Sequence, residues 1–355
     1  METKFWPVSA ENPEQELIRQ AAAIIRSGGL VAFPTETVYG LGADGLNSQA
    51  VRRIFTAKGR PVDNPLILHV AKQDEVFRLA RQVDKQVQKL MNIFWPGPLT
   101  LVLPKAALIP AEVTAGLATV AIRMPRHPVA LALIEASGVP LAAPSANRSG
   151  YPSPTTGQHV YADLGGRIEA VLESGPTGVG LESTVLDLSG EVPVILRPGG
   201  ITWEDLSAVL GTVLLDPGLS DPQQKPKAPG MKYKHYAPRA EVLLLNGTPE
   251  KVASKIRELL INYQRQGKKV GVLLTTETWQ SLKDLASEAS EITYGRKLGS
   301  CTHLEDIARV LYSELRNCDM AKVDVVLTET YREEGLGVAL MNRLLKSAGY
   351  KVINT

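Results

Sequence analysis

Lys58-Gly-Arg-Pro-Val-Asp-Asn-Pro-Leu-Ile-Leu-His69 stands between two regular patterns. Ahead of it, Val51-Arg-Arg-Ile-Phe-Thr-Ala has the apolar spacing of an amphipathic helix, and within it Leu66-Ile-Leu reads as a buried strand. Helix, stiff loop and strand in succession belong to an α/β fold. The loop carries two cations, a glycine and two prolines, so positive charge is fixed in space. Taken alone it is either a solvated basic turn or a site for phosphate or carboxylate.

Composition bounds the choices. The 355 residues allow two domains with real cores, and 44% apolar with 21% charged residues is ordinary for a globular chain. Thirty-nine basic residues against 37 acidic leave a net charge of +2, so a nucleic-acid partner would need a locally basic face. No apolar run is long enough to span a bilayer, and the N-terminus lacks the layout of a signal peptide; a cytoplasmic protein is expected. Cys301 and Cys318 read as reduced structural thiols. The five histidines never fall at metal-ligand spacing, so no metal site is expected from protein side chains.

Toward the N-terminus, Asn12-Pro13 with Glu14 and Glu16 predicts a capped helix start, Leu17, Ala21, Ile24 and Ile25 its apolar face, and Gly28-Gly29 its stop. Leu30-Val-Ala-Phe33 reads as a buried strand, followed by Pro34-Thr-Glu-Thr-Val-Tyr-Gly40. In an extended chain Thr35 and Thr37 share a face opposite Glu36 and Val38. Gly40-Leu-Gly-Ala-Asp-Gly45 matches G-x-G-x-x-G, with Asp63 downstream at about the spacing of a ribose-binding acid. Pro34 and the Thr-Glu-Thr segment interrupt the strand that this fingerprint requires, so the glycines read as a tight turn before the helix. No P-loop motif occurs.

Beyond His69, helices are expected over Lys72–Leu79 and Val83–Ile93, ended by Trp95-Pro-Gly-Pro98, then a strand over Leu99–Leu103. Ala118–Arg123 alternates so that Thr119, Ala121 and Arg123 share one face. Arg123 is there either for a ligand or as a strand-end arginine reaching solvent. A helix over Val129–Ala136 precedes Pro144-Ser-Ala-Asn-Arg-Ser-Gly150, where Ser145, Asn147 and Ser149 make an anion-holding loop or an ordinary turn. Ser183 and Thr184 enter a strand after a glycine-rich loop; Arg197 ends the next strand, and Thr202 is placed to cap a helix over Trp203–Leu210. One economical reading joins these features. Several strands of a mixed sheet deliver polar groups to one rim, where a polyanionic ligand sits.

Prolines at 217, 222, 226, 229 and 238 mark a linker without apolar periodicity, ending in Met231-Lys-Tyr-Lys-His-Tyr-Ala-Pro238. His235 and Tyr236 there belong either to a plain tether or to a strap that reaches a ligand. From Glu241 strands alternate with helices: strands at Val242–Leu245, Val270–Leu274, Ile292–Tyr294 and Val323–Leu327, helices at Pro249–Gln264, Thr278–Ala289, His303–Arg316 and Leu336–Lys346. That pattern predicts a small parallel, Rossmann-like sheet. The expected organisation is a catalytic domain over 1–212, a Pro-rich linker over 213–240 and an accessory domain over 241–355.

Together, Pro34-Thr-Glu-Thr-Val-Tyr-Gly-Leu-Gly, Lys58 to His69, Trp95-Pro-Gly-Pro-Leu-Thr, Val120-Ala-Ile-Arg-Met-Pro, Ala143-Pro-Ser-Ala-Asn, Glu182-Ser-Thr-Val and Leu196-Arg-Pro-Gly resemble the YrdC-type threonylcarbamoyl-AMP synthases in their long, two-domain form. The resemblance covers about residues 14 to 205, and Lys232-Tyr-Lys-His-Tyr-Ala-Pro with the second domain extends it to nearly the whole chain. It implies a twisted mixed sheet with helices around a charged cavity, plus a smaller Rossmann-like domain. It implies a nucleotidyltransferase that condenses L-threonine, bicarbonate or CO2, and ATP to threonylcarbamoyl-AMP and pyrophosphate. The product would pass to a separate tRNA threonylcarbamoyltransferase.

By the same resemblance Lys58, Arg60, Asn64, Thr119, Ser145, Asn147, Ser153, Arg197, His235 and Tyr236 would bind ATP. Thr35, Thr37, His69, Arg123, Ser183 and the Ala143 backbone would hold threonine, with Arg123 on its carboxylate. Mg2+ would bridge phosphate oxygens, largely through water. Val62 stands where many relatives carry a small or polar residue. The alternative from another class is a double-stranded RNA-binding module of the same fold, which needs basic side chains around a groove but no threonine pocket; weak RNA binding is expected of the enzyme as well.

Overall fold

The helix ahead of the cationic loop is defined by its two ends. In the computed structural model, which describes residues 1–219, 236–284 and 292–355, this helix is Ser48–Lys58. The Asn47 side chain caps it, accepting from the N–H groups of Gln49 and Ala50. Gly59 closes it at φ 63°, a left-handed turn that glycine adopts without a Cβ penalty. Lys58 is therefore the last helical residue, and it is buried.

By internal contacts the chain divides into two units: Met1–Ser149 with Ser153–Tyr233, and Gly150–Pro152 with Lys234–Thr355. The first unit is built on a mixed sheet of eleven strands among the described residues. In spatial order they are Lys4–Pro7, Ala170–Glu173, Val31–Phe33, Gly40–Asp44, Leu141–Ala142, Ile67–His69, Thr119–Arg123, Leu99–Pro104, Thr184–Asp187, Val194–Arg197 and Leu214–Leu215. The last of these, an edge strand paired with Val194 and Ile195, falls where the Pro-rich linker was expected to begin.

Period-two alternation divides the central strands between two faces. Leu66, Leu68, Leu101, Leu103, Val120, Ile122, Leu186 and Ile195 join the main core. Their neighbours Ile67, Val102, Ala121, Val185 and Leu196 form a separate small cluster, every member of which lies on a strand. Val31, Phe33, Leu141 and Ala143 are covered by two helices, Gln15–Arg26 and Pro128–Ser137. The sheet thus has an apolar floor over its middle strands, with Thr119 and Arg123 at the two ends of one of them.

Four local expectations need correction. Gly40–Asp44 is a strand antiparallel to Val31–Phe33, where a tight turn was expected. A Cβ on Gly42 would come within 2.9 Å of the Phe33 ring, so these glycines admit an aromatic side chain beside the sheet. The first helix is not capped by Asn12: it begins at Gln15 after Glu14, which makes no side-chain cap but accepts from the Ser9 N–H. Residues 36–38 bend instead of extending, because Thr35 Oγ1 accepts from the N–H groups of Thr37 and Val38. The strand expected over Ile292–Tyr294 starts at Tyr294 and runs to Gly299.

Among the described residues the second unit carries five parallel strands, in spatial order Tyr294–Gly299, Val270–Thr275, Val325–Glu329, Glu241–Asn246 and Val352–Asn354. Numbered along the chain this is 3-2-4-1-5, which exchanges strands 1 and 4 relative to a Rossmann sheet. Leu243, Leu245, Ile256, Val272 and Leu327 belong to its core.

Candidate active site

Arg123 and His69 end neighbouring parallel strands and are register partners. Both are buried, which excludes the solvent-reaching arginine. Arg123 Nε donates to the Gly97 carbonyl at 3.2 Å, and its Nη2 lies 2.8 Å from Glu36 Oε1. That ion pair lacks hydrogen-bond alignment: neither Glu36 oxygen has a donor among the described residues. Burial, with Arg123 beside it, pushes the His69 imidazole down to about 3, so the ring is neutral at physiological pH. His69 Nδ1 faces the Ile67 carbonyl at 3.3 Å.

The threonine hydroxyls meet in the bend. Thr35 Oγ1 donates to the Val38 carbonyl at 2.6 Å and lies 2.8 Å from Thr37 Oγ1. Across the sheet, Ser183 Oγ is 2.8 Å from Thr100 Oγ1. Arg197 grips the same serine, Nη2 donating to its Oγ at 3.0 Å and to its carbonyl at 2.8 Å. The Ala143 N–H is engaged by the Ile67 carbonyl at 2.9 Å.

The cationic loop is held from the other side. Lys58 Nζ donates to the Ser145 carbonyl, and to the Asn147 carbonyl at 2.5 Å; Ser145 Oγ donates to Asn147 Oδ1 at 2.5 Å. Arg60 Nη2 donates to the Pro65 carbonyl at 3.1 Å. Asn64 is 1% exposed, and both polar atoms of its side chain lack a hydrogen-bond partner among the described residues. A buried amide in that state costs free energy that a ligand could offset. Ser153 Oγ donates to the buried Glu182 at 2.5 Å, and Thr119 is partly exposed at the start of its strand.

The structure thus gathers Lys58, Asn64, Ser145, Asn147, His69, Arg123, Ser183 and Arg197 on one unit. His235 lies outside the described residues, as does most of the expected linker. Tyr236 belongs to the second unit, stacked on Tyr312 with ring centroids 5.5 Å apart and with the Arg343 guanidinium over its ring. Sequence reasoning gave no role to Glu36, Thr100, His127 or Glu182. Glu36, Thr100 and Glu182 stood inside quoted motifs, where nothing but their polarity set them apart. No cluster of three metal-ligating side chains occurs among the described residues. Buried cations with hydroxyls and amides between them suit an anionic ligand held out of water.

Comparison with known proteins gives the same direction. A family model described as "Telomere recombination", covering Sua5, YciO and YrdC, matches residues 23–199; a second, "Threonylcarbamoyl-AMP synthase, C-terminal domain", matches 201–349. The chain is 49% identical over 360 residues to a threonylcarbamoyl-AMP synthase of Bacillus subtilis, covering 99% of this chain and 100% of that one. It is 49% identical over 344 residues to the enzyme of that name from Pyrococcus abyssi, covering 97% of each. A crystal structure of P. abyssi Sua5 complexed with L-threonine matches with a TM-score of 0.92 at 48% identity, over 99% of this chain and 100% of that one.

Proposed function

The chain belongs to the Sua5, YciO and YrdC family of threonylcarbamoyl-AMP synthases, and on that premise we propose how its own residues carry out the reaction. It is an L-threonylcarbamoyl-AMP synthase, a nucleotidyltransferase that uses ATP and serves tRNA modification. The carboxyl donor is bicarbonate or CO2, and magnesium enters as the counter-ion of the triphosphate substrate. The product goes to a separate transferase that acts on tRNA, in the cytoplasm. The division into a catalytic domain over 1–212, a connecting stretch over 213–240 and an accessory domain from 241 belongs to the same reading.

The chemistry asks for no protein nucleophile. Threonine's amine joins carbon to give a carbamate, whose oxygen attacks the α-phosphorus of ATP while pyrophosphate leaves. The carbamate is unstable in water, so positioning, dryness and charge stabilisation are what the protein must supply. Arg123 offers a guanidinium fork to threonine's carboxylate, with Ser183, Thr37 and neutral His69 around the rest of the molecule. Lys58, Arg60 and Arg197 place positive charge for the phosphates, and the unpartnered Asn64 amide supplies a donor and an acceptor to the nucleotide.

The observation that carries this reading is the pairing of Arg123 and His69 on adjacent strands, opposite the hydroxyl pair of Thr100 and Ser183. It also weighs against a duplex-RNA binder. Lys58, Arg60, Arg123 and Arg197 are each at most 8% exposed, whereas a groove binder needs cations that reach phosphates on a broad helix. The test is pyrophosphate release from MgATP with threonine and bicarbonate each omitted in turn. Release should need both, and Lys58→Ala should lower it by about 100-fold or more. Release indifferent to threonine would sink the reading.

A further inference from the structure

Threonine enters with an ammonium group, and its nitrogen cannot bond to carbon until a proton has left. His69 is a poor acceptor, because burial beside Arg123 drives protons off its ring. Lys58, Arg60, Arg123 and Arg197 are cations. Glu36 has the required chemistry. Its carboxylate is buried at 7% exposure, neither oxygen receives a hydrogen bond among the described residues, and Oε1 lies 2.8 Å from Arg123 Nη2. A buried carboxylate paired with one guanidinium but given no hydrogen bond is costly unless a ligand uses it.

Its backbone is pinned, Val179 N–H donating to the Glu36 carbonyl at 2.8 Å and Gly180 N–H to that of Thr37 at 3.1 Å. Two titratable groups act on it, Arg123 from the central strand and His127 from the start of the helix Pro128–Ser137, while His69 stands beside Arg123 as its strand partner. Burial holds His127 toward its neutral form while the charge of Glu36 acts in the opposite sense. An amino acid's nitrogen lies two covalent bonds from its carboxyl carbon, about 2.5 Å away. When that carboxylate sits on the Arg123 fork, a carboxylate already flanking the fork faces the ammonium.

We propose that Glu36 stands on Arg123 in place of the substrate carboxylate, yields to it when threonine binds, and then acts as the general base that takes the ammonium proton. The inference rests on the threonylcarbamoyl-AMP synthase reading. In the first step the ammonium N–H bond breaks, and the proton passes to a Glu36 oxygen. In the second the amine lone pair forms the C–N bond to bicarbonate, and the hydroxyl leaves with the second N–H proton as water. The result is the carbamate anion and a protonated Glu36, which returns its proton to solvent before the next turnover. Glu36 would thus be a catalytic residue in direct contact with substrate.

Glu36→Gln keeps the shape and removes the proton acceptor. Threonine-dependent pyrophosphate release at pH 7 should fall by about 100-fold or more. The deficit should shrink by up to about tenfold per pH unit toward pH 9, as solution supplies the free amine. Binding gives a second readout without turnover. In calorimetric titrations, 2,3-dihydroxybutanoate, which lacks the ammonium, should bind the wild-type protein about 30-fold or more weakly than threonine. That preference should collapse in Glu36→Gln, whereas Glu36→Asp should keep the wild-type pH profile at a lower rate. The wild-type comparison needs no variant, so the proposal stays open to refutation even if Glu36→Gln does not fold. Equal affinity of the wild-type protein for both ligands, or a Glu36→Gln deficit unchanged between pH 7 and pH 9, overturns the proposal. Absence of threonine-dependent release from the wild-type protein would overturn the underlying reaction instead.

Discussion

His69 shows how one buried side chain couples the site to pH. In the unfolded chain its imidazole titrates near 6.5; in the fold, burial and the adjacent Arg123 push it down to about 3. Below pH 6.5 the unfolded state therefore takes up a proton that the folded state does not. The contribution of neutral His69 is fully present above pH 6.5 and is lost as pH falls toward 3. The slope approaches about 1.4 kcal/mol per pH unit. His127, also lowered by burial, acts in the same sense. Urea unfolding of the wild type and His69→Asn at pH 7.5, 6 and 5 checks this: the wild type should lose stability faster as pH falls. Parallel stability profiles would show that His69 is not held neutral. The same neutrality bears on function, since a ring that stays uncharged at pH 7 can orient threonine without repelling its ammonium.

Two segments meet at the element scale, and glycine makes the approach possible. Arg197-Pro-Gly-Gly200 packs against Glu182-Ser-Thr184 so closely that a Cβ on Gly199 would lie 2.3 Å from the Thr184 nitrogen and 2.5 Å from the Glu182 carbonyl. Both contacts are backbone, so neither can swing aside. Gly199→Ala should cost about 1–3 kcal/mol and displace Ser183 from Arg197 and Thr100, with threonine-dependent activity falling by about tenfold or more. Gly190→Ala, with nothing within 4 Å of the added methyl, should stay within about 0.5 kcal/mol of wild type. Thermal melts and kinetics of the two variants distinguish a steric role from tolerance, and a wild-type Gly199→Ala would refute the packing argument. Such closeness could not be read beforehand, because a glycine after a strand looks the same whether it turns or packs. Gly40–Asp44 was misread for that reason: its antiparallel pairing with Val31–Phe33 makes it a strand, and the Phe33 ring beside Gly42 explains the glycines. By contrast, Thr119, Ala121 and Arg123 were legible as one face, since period-two alternation survives any choice of partner. The Thr202 cap was legible too, and it forms a capping box with Asp205. The ion pair of Arg123 with Glu36 was not legible, because it depends on a bend at Thr35 and on which strands become neighbours.

At the scale of the molecule, the change from irregular loops to regular strand–helix alternation at Glu241 was readable from periodicity, and a parallel sheet follows it. The order 3-2-4-1-5 was not readable, since the pattern of strands and helices does not say which crossover passes which strand. Each unit has its own core, and the candidate residues described in the structure, Tyr236 apart, belong to the first. A ligand that binds the folded first unit and not the unfolded chain must stabilise it by mass action. At threonine concentrations about 100-fold above its dissociation constant the gain is about 2.7 kcal/mol. For a unit of this size each kcal/mol moves the melting midpoint by about 2–4 °C, so a rise of about 5–10 °C is expected. Scanning calorimetry with threonine alone, where turnover cannot occur, measures it. If the two units melt in separate steps, only the step of the unit that contains Arg123 should move. A midpoint indifferent to saturating threonine would mean that Arg123, His69 and Ser183 do not form a threonine site.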